Sequence, residues 1–186
     1  RRDYKRSLAQ RNRLLKTSPR PDELFVWDVR LSELAGKLVT YRLQLIDSLE
    51  REFQQLYQEL SRSQAHISLS YISSCAPETY SSSLLKQLEA TLGIDILRGY
   101  TTRGPHRDDL LVTINDQPAA VSASRGESRT ILLALKILEL QILERSRNKK
   151  PILLLDDVFS ELDGRRRKAL TSFLQKYQTF ITTTDA

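Results

Sequence analysis

The stretch that most constrains how this chain can fold is PILLLDDVFSELD, from Pro151 to Asp163. Four consecutive aliphatic residues, 152–155, lead directly into the carboxylates Asp156 and Asp157. A short apolar run of this kind predicts a strand buried on both faces, as in a parallel sheet covered by helices. Open α/β sheets bind ligands at the carboxyl ends of their strands, so the acid pair favours a magnesium–nucleotide site. A core strand that merely ends in an acidic turn is the alternative.

A second motif lies upstream, where SRGESR at 124–129 opens a stretch with helical apolar spacing. The periodic residues are Ile131, Leu132, Leu135, Leu138 and Ile142. A small, polar turn before a long amphipathic helix presents free backbone N–H groups at the positive end of the helix dipole. The start of this helix is therefore predicted to bind an anion.

Two helices are predicted before residue 62. Tyr4, Leu8 and Leu15 mark one face of the first, and TSPRPD at 17–22 ends it. The second has a heptad seam at Leu24, Trp27, Leu31, Leu34, Leu38, Tyr41 and Leu45. Two steps of four, to Leu49 and Phe53, then interrupt the seam like a stutter before Leu56 and Leu60 resume it. Such a helix is on the order of 55 Å long and needs partner helices to cover its seam.

The region from 65 to 115 alternates between strand and helix patterns. A period of two at 67–71 predicts a strand with one wet face, and 80–92 predicts a helix that Gly93 ends. Two further strands are expected at 94–102 and 110–115.

The loop between those two strands contains His106 and Arg107. These are candidates for contact with phosphate or with a neighbouring subunit. A pair between Arg107 and Asp108 or Asp109 that simply holds the loop together explains them nearly as well.

The net charge of +6 is unevenly distributed, because eight cations but only one acid fall within the first 20 residues. A helix so basic fits contact with a nucleic-acid backbone, although a solvated arm is the alternative. The candidate contacts are Arg1, Arg2, Lys5, Arg6, Arg11 and Arg13.

Several functional classes are disfavoured by what the sequence lacks. No apolar run approaches the roughly 18 residues of a membrane span, and no signal peptide is visible. A single cysteine, Cys75, cannot form an internal disulfide, so a cytoplasmic location without membrane partners is expected. One cysteine and two distant histidines make no zinc site, and no G-x-S-x-G turn supports a serine hydrolase.

These motifs, in this order, resemble the heads of ABC-type ATPases and, among them, the RecF family. YTTRGPHRDDL at 100–110, YKRSLAQRNRLLK at 4–16 and VWD at 26–28 point to RecF in particular. The resemblance implies an α/β head of the ABC type, with a mostly parallel core sheet and flanking helices, plus a helical arm. It divides the chain into an arm at 1–62, a connection at 63–99 and the C-terminal part of the head at 100–186.

The resemblance also implies a role for each motif. Asp156 would hold Mg2+ through water, Asp157 would orient the attacking water, and Thr184 would be the switch residue after the next strand. The D-loop would include Ser160 and Asp163. The signature loop, defined here as 124–127, would contact ATP bound to a second copy through Ser124, Arg125, Gly126 and Glu127.

No GxxxxGK[ST] phosphate loop occurs in the chain, and methionine is absent. The expectation is therefore the later part of a longer protein whose earlier half carries that loop. The whole protein would be a slow ATPase, because Asp157 is shorter than the glutamate common at its position, and this chain alone would not turn over ATP.

The function implied is that of an ATP-dependent, homodimeric clamp on duplex DNA near single-strand gaps. It would help to load recombinase together with RecR- and RecO-like partners. One alternative is a DNA-tethering head of the RecN or chromosome-structuring kind. The other is a non-enzymatic module that binds DNA or a partner.

Overall fold

The computed structural model describes residues 1–17, 20–157 and 163–182. It contains helices and short strands in mixed order. The helices are α1 (Arg2–Leu15), α2 (Pro21–Ser61), α3 (Tyr80–Ala90), α4 (Leu92–Arg98), α5 (Ala119–Ser122), α6 (Arg125–Arg147) and α7 (Gly164–Leu174), with a 3-10 turn at Pro77–Thr79. The strands are β1 (Ile67–Ile72), β2 (Asp109–Ile114), β3 (Gln117–Pro118), β4 (Leu153–Asp156) and β5 (Thr179–Thr182).

The chain divides into two compact units. The first comprises Arg1–Asp47 and Ser70–Leu111, and the second comprises Ser48–Leu69 and Val112–Ala186, within its described ranges. The helix α2 and the strands β1 and β2 each supply residues to both units. The domain boundaries predicted from the sequence, after residues 62 and 99, stay a prediction.

The first unit is built around an apolar core shared by α1, α2 and α3. Its buried members include Tyr4 of α1, Leu31 and Val39 of α2, and Leu84 and Leu88 of α3. The burial of such side chains contributes about 1.5–3 kcal/mol each. This core explains why the short α1 is stable, since its apolar stripe lies against α2.

A glycine in α2 sets how closely α3 can approach it. Any Cβ atom on Gly36 would overlap the hydroxyl of Ser81. A side chain at 36 would therefore need the Ser81 hydroxyl to rotate away, so glycine at this position suits the close approach of α3 rather than a special backbone conformation.

The first unit also encloses a buried ionic cluster. Arg11 is fully buried and donates to Asp28 at 2.5 Å, to Asp95 at 2.7 Å and to the Thr101 hydroxyl at 2.9 Å. Asn12 accepts from both the backbone N–H and the hydroxyl of Thr101. Buried charges are tolerated when they are paired and hydrogen-bonded in this way.

The second unit contains the predicted acidic strand. The strands β4 and β5 are parallel, with Leu153 opposite Thr179 and Asp156 opposite Thr182. One face packs on α6 and α7 through Leu133, Ile137, Leu153, Leu170 and Leu174. The parallel pairing expected for an α/β head is present.

The prediction that β4 is buried on both faces is wrong for this chain. Leu153 is buried, but Leu154 is 78% exposed and Ile152 is 60% exposed. The physical reason is that, within the described ranges, β4 pairs only with β5, and α6 and α7 pack against the Leu153 side. A continuous aliphatic run therefore does not by itself ensure that both faces of a strand are covered.

The remaining strands form a separate sheet with the order β1-β2-β3. The strands predicted at 67–71 and 110–115 are confirmed as β1 and β2. The strand β3 folds back antiparallel to β2 through Asn115 and Asp116, whose φ angles are +47° and +62°. Two successive positive φ angles suit a tight hairpin turn, and Asn and Asp tolerate this conformation better than most residues.

The strand predicted at 94–102 is wrong, because α4 occupies Leu92–Arg98. The helix places Asp95 inward, where its carboxylate accepts from Arg11 and Thr102. Gly99 ends α4 with a φ of +69°, whereas Gly93, predicted to end α3, lies inside α4. The helix α3 ends instead at Ala90, and the hydroxyl of its C-cap residue Thr91 donates to the Gln87 carbonyl.

The long second helix is confirmed as α2, at about 60 Å for a rise of ~1.5 Å per residue. Its predicted heptad seam holds only in part, because Leu24 and Leu31 are buried whereas Tyr41 is 70% and Leu45 is 45% exposed. The buried face drifts around the helix, because an α-helix has 3.6 residues per turn whereas a heptad seam repeats every 3.5 residues. In the part of the chain that the structure describes, no helix is both long and apolar enough to cross a membrane.

Candidate functional site

The signature loop begins the longest helix of the second unit. Ser124 is the N-cap of α6, and its Oγ accepts a hydrogen bond from the Glu127 backbone N–H at 3.3 Å. The Glu127 carboxylate in turn accepts from the Ser124 backbone N–H at 2.8 Å and from its hydroxyl at 2.7 Å. This reciprocal capping box stabilises the first turn of α6.

The capping box also lowers the pKa of Glu127. Hydrogen bonds from the Ser124 side chain and backbone hold the pKa of Glu127 below its usual range. A negative charge in the first turn also interacts favourably with the helix dipole. Glu127 is therefore already engaged within the loop, and its first role is to fix Ser124.

The start of α6 is open to solvent within its own unit. Ser124 and Arg125 are exposed, and Gly126 and Glu127 are half-buried. The anion site predicted from the sequence therefore remains accessible to a ligand held by another molecule. The four predicted residues are consecutive on one helical turn, so the fold brings them together.

The acid pair lies at the carboxyl end of β4. Asp156 is the last strand residue and is exposed, while Asp157 is half-buried with a φ of +48°. The backbone N–H of Asp157 donates to the carbonyl of Thr182 at 3.1 Å, and the Thr182 hydroxyl donates to Asp156. The two carboxylates thus follow the strand edge at which α/β sheets bind ligands.

Thr182 is a site residue that the sequence did not reveal. The parallel register places it opposite Asp156, and its hydroxyl orients that carboxylate. The signal that could have found it is TFIT at 179–182, a run of β-branched and aromatic residues, read as a strand in register with 153–156. Two carboxylates and a hydroxyl are oxygen donors of the kind that Mg2+ prefers, so the residues present fit the predicted metal.

The predicted D-loop and switch residues are only partly described. Ser160 and Thr184 lie outside the described residues. Asp163 is the N-cap of α7, where it accepts the Arg166 backbone N–H at 2.9 Å and forms an ion pair with the Arg166 guanidinium. Asp163 thereby begins the helix that packs beneath β4.

The loop with His106 and Arg107 belongs to the first unit. His106 contacts the Tyr4 hydroxyl through Nδ1 at 2.8 Å and the Thr101 carbonyl through Nε2 at 3.0 Å. Burial is the main cause that lowers the pKa of His106. One ring nitrogen is engaged by α1 and the other by the backbone before the loop, so His106 ties the loop to α1 rather than facing outwards.

Arg107 is exposed and lies with its guanidinium over the ring of Tyr100, 5.1 Å from the centroid. The predicted alternative, an ion pair with Asp108 or Asp109, is absent among the described residues. Asp108 instead accepts hydrogen bonds from the hydroxyls of Tyr71 and Tyr80, each at 2.7 Å. Arg107 therefore remains accessible to an anionic partner.

The six candidate DNA contacts near the N-terminus divide into two groups. Five are exposed, namely Arg1, Arg2, Lys5, Arg6 and Arg13. Arg11 departs from the predicted set, because it is fully buried with Asp28 and Asp95. A guanidinium enclosed in this way cannot reach a phosphate, so the prediction that Arg11 contacts DNA is wrong.

Comparison with known proteins places these features in a family. No protein-family model matches the chain. Curated relatives, each named DNA replication and repair protein RecF, match nearly all of it. The relative from Halothermothrix orenii is 37% identical over 98% of the chain, that from Ruminiclostridium cellulolyticum 38% over 96%, and that from Geobacter sulfurreducens 37% over 98%. The chain spans about half the length of these relatives, at 52%, 50% and 52%.

Solved structures agree with the sequence relatives. Two structures of the recombination mediator protein RecF of the RecFOR pathway, one described with ATP and one with an ATP analogue, superpose with TM-scores of 0.81 and 0.82. Each is 31% identical, and the match covers 99% of this chain and 52% of the solved one. By sequence and by fold, this chain belongs to the RecF family.

Proposed function

We propose that this chain is the C-terminal half of a RecF-type protein that acts in DNA replication and repair as an ATP-dependent, dimerising clamp on DNA. The main support is that one unit has two features of a nucleotide site. These are a solvent-exposed helix N-terminus, capped by Ser124, and an acid pair at the carboxyl end of β4. Two copies that face each other could enclose a triphosphate between these features.

The two features divide the work within the proposed dimer. Asp156 and Asp157 act on nucleotide held by their own copy, where Asp157 orients the attacking water. Ser124 and Gly126 contact the triphosphate held by the other copy. Gly126 does so through a free backbone N–H, and the Ser124 hydroxyl exchanges its bond to Glu127 for one to a phosphate oxygen. Arg125 is exposed and adds a positive charge on the same turn.

The nucleotide is ATP and the metal is Mg2+, which Asp156 holds through water. Solved RecF structures are described with ATP or its analogue, which supports the nucleotide. Oxygen donors at the strand edge support the metal. A bound Mg2+ would neutralise phosphate charge. Asp157 is a short general base, so turnover by the whole protein is slow, and this chain alone, without a phosphate loop, turns over no ATP.

The DNA surface is proposed to include the five exposed cations of α1 and its N-terminal end, and Arg107 lines a phosphate or subunit interface. Contacts with phosphate release counterions, so affinity should fall steeply with salt. RecR- and RecO-like proteins are the proposed partners, and the cytoplasm the proposed location. The single α2 helix, about 60 Å long, favours a compact clamp over a long-armed tether of the RecN kind.

The test uses a RecF polypeptide of full family length that carries this chain. Asp157→Asn should abolish ATP turnover while ATP-dependent dimerisation, measured by light scattering, is retained. Asp116→Asn is a matched control, because Asp116 is exposed and also has a positive φ, +62° against +48° for Asp157. Normal turnover by the Asp157 variant would show that the catalytic assignment is wrong.

A further inference from the structure

Arg166 joins the start of α7 to the start of α6 within the second unit. Its Nε donates to the Thr130 hydroxyl at 2.7 Å, and that hydroxyl donates to the Gly126 carbonyl at 2.9 Å. The other end of the same guanidinium pairs with Asp163, the N-cap of α7. A continuous hydrogen-bonded path therefore runs from Asp163 to Gly126.

The guanidinium also lies directly against the backbone of Gly126. A Cβ atom at this position would be 3.2 Å from Nη2 of Arg166 and 3.7 Å from both Cζ and Nη1. The tightest of these contacts is closer than ordinary van der Waals separation, so a side chain at 126 would push the guanidinium away. A side chain at 126 would thus need the guanidinium to shift by a few tenths of an ångström, besides hindering the phosphate approach proposed above.

The surroundings of Arg166 strengthen these contacts. Its side chain is only 19% exposed, and Thr130 is fully buried. Charge-assisted hydrogen bonds in such a setting are stronger than neutral bonds at the surface.

The charges of Arg166 and Glu127 also act on a residue of α2. Tyr57 is fully buried, and among the described residues its hydroxyl has no hydrogen-bond partner. Burial raises the pKa of Tyr57, the Glu127 carboxylate raises it further, and Arg166 opposes both effects. The position of Arg166 therefore bears on side chains from α2, α6 and α7.

We propose that Arg166 is a positioning residue that holds the first turn of α6 against the start of α7. The signature loop and Asp163 then keep a constant spacing when a second copy presents its nucleotide. The expected effect of Arg166 on ATP turnover rests on the proposed function, whereas its contacts with α6 and Asp163 do not. Lysine cannot replace Arg166, because it lacks the planar fork that reaches Asp163 and Thr130 together.

The first test measures backbone amide hydrogen exchange at 127–132 in this chain. Gly126→Ala should speed exchange about tenfold, because the new methyl group displaces the guanidinium. When Arg166→Lys is present, the same glycine substitution should add less than about threefold, since the crowding nitrogen is gone. Gly164→Ala is the matched control, because no atom lies within 4 Å of a Cβ there. Equal effects of Gly126→Ala with and without Arg166→Lys would overturn the proposal.

The second test measures ATP turnover by the family-length protein. Arg166→Lys should lower kcat about tenfold and change KM for ATP less than twofold, the pattern of a lost transition-state contact. A purely structural role would leave kcat of the folded protein unchanged, and that result would overturn the positioning role. If the unsubstituted protein shows no turnover, the proposed function fails, and the exchange measurement still decides whether Arg166 holds α6.

Discussion

The buried cluster around Arg11 permits a quantitative prediction of stability. Asp95 has no exposed side-chain surface and accepts from Arg11 at 2.7 Å, from the Thr102 backbone N–H at 2.9 Å and from the Thr102 hydroxyl at 2.6 Å. Asp95→Asn keeps the size of the side chain and can keep the bonds from Thr102. Its amide N–H2 group, however, would face a guanidinium N–H, so two donors would meet.

The expected cost follows from these contacts. A hydrogen bond to a charged group contributes about 1.5–3 kcal/mol, and removing one partner of a buried ion pair costs about 3–5 kcal/mol. Arg11 would retain Asp28, at 2.5 Å, as its one ionic partner in the described structure. We therefore expect the free energy of unfolding to fall by about 3 kcal/mol, a large share of the ~5–15 kcal/mol typical of a domain.

The measurement is urea unfolding of the chain, followed by circular dichroism, with Asp22→Asn as the matched control. The Asp22 side chain is 72% exposed and lies 3.6 Å from Arg20, so its loss should cost less than about 1 kcal/mol. If Asp95→Asn costs no more than this control, the cluster does not stabilise the first unit and the reasoning is refuted.

Three further predictions concern pH and packing. The pKa of Glu127 is lowered in the folded chain, so the stabilising effect of its carboxylate is present above the ordinary glutamate pKa and is lost as pH falls through the lowered value. Glu127→Gln should therefore flatten this part of the curve of unfolding free energy against pH. Ser124→Ala removes the N-cap hydroxyl and should lower the free energy of unfolding by about 1 kcal/mol. Burial raises the pKa of Asp28, so its contribution is fully present below the ordinary aspartate pKa and declines as pH rises through the raised value, and Asp28→Asn should remove that decline. Ile137→Ala in the core should cost about 2–5 kcal/mol by urea unfolding, whereas Leu154→Ala on the exposed face should change stability by less than about 0.5 kcal/mol.

The structural features around the candidate site that the sequence predicted correctly are those with local causes. The serine at 124 and the glutamate at 127 have capping-box spacing, and the structure forms that box at the start of α6. The aliphatic run that ends in Asp156 similarly predicted a parallel strand with acids at its carboxyl end. Neighbouring residues determine the capping box and the strand itself, whereas the parallel pairing also depends on β5.

The errors have causes that lie far away along the chain. In α4, Ile94, Asp95 and Ile96 alternate as in a strand, but Asp95 is held inside by Arg11, 84 residues away. The run of basic residues around Arg11 predicts a surface cation. Arg11 follows Tyr4 by seven residues and precedes Leu15 by four, which places it on the buried face of α1. This helical spacing could have shown that Arg11 is buried.

The most direct test of the central claim mixes two inactive variants of the family-length protein. Asp157→Asn disables the water-orienting carboxylate, and Ser124→Arg blocks the start of α6 with a bulky side chain. If the two features act on one ATP across a symmetric dimer, each variant is inactive alone, whereas random mixing restores about a quarter of the normal turnover, because half of the dimers have one intact site of two. A mixture as inactive as its separate components would contradict the account.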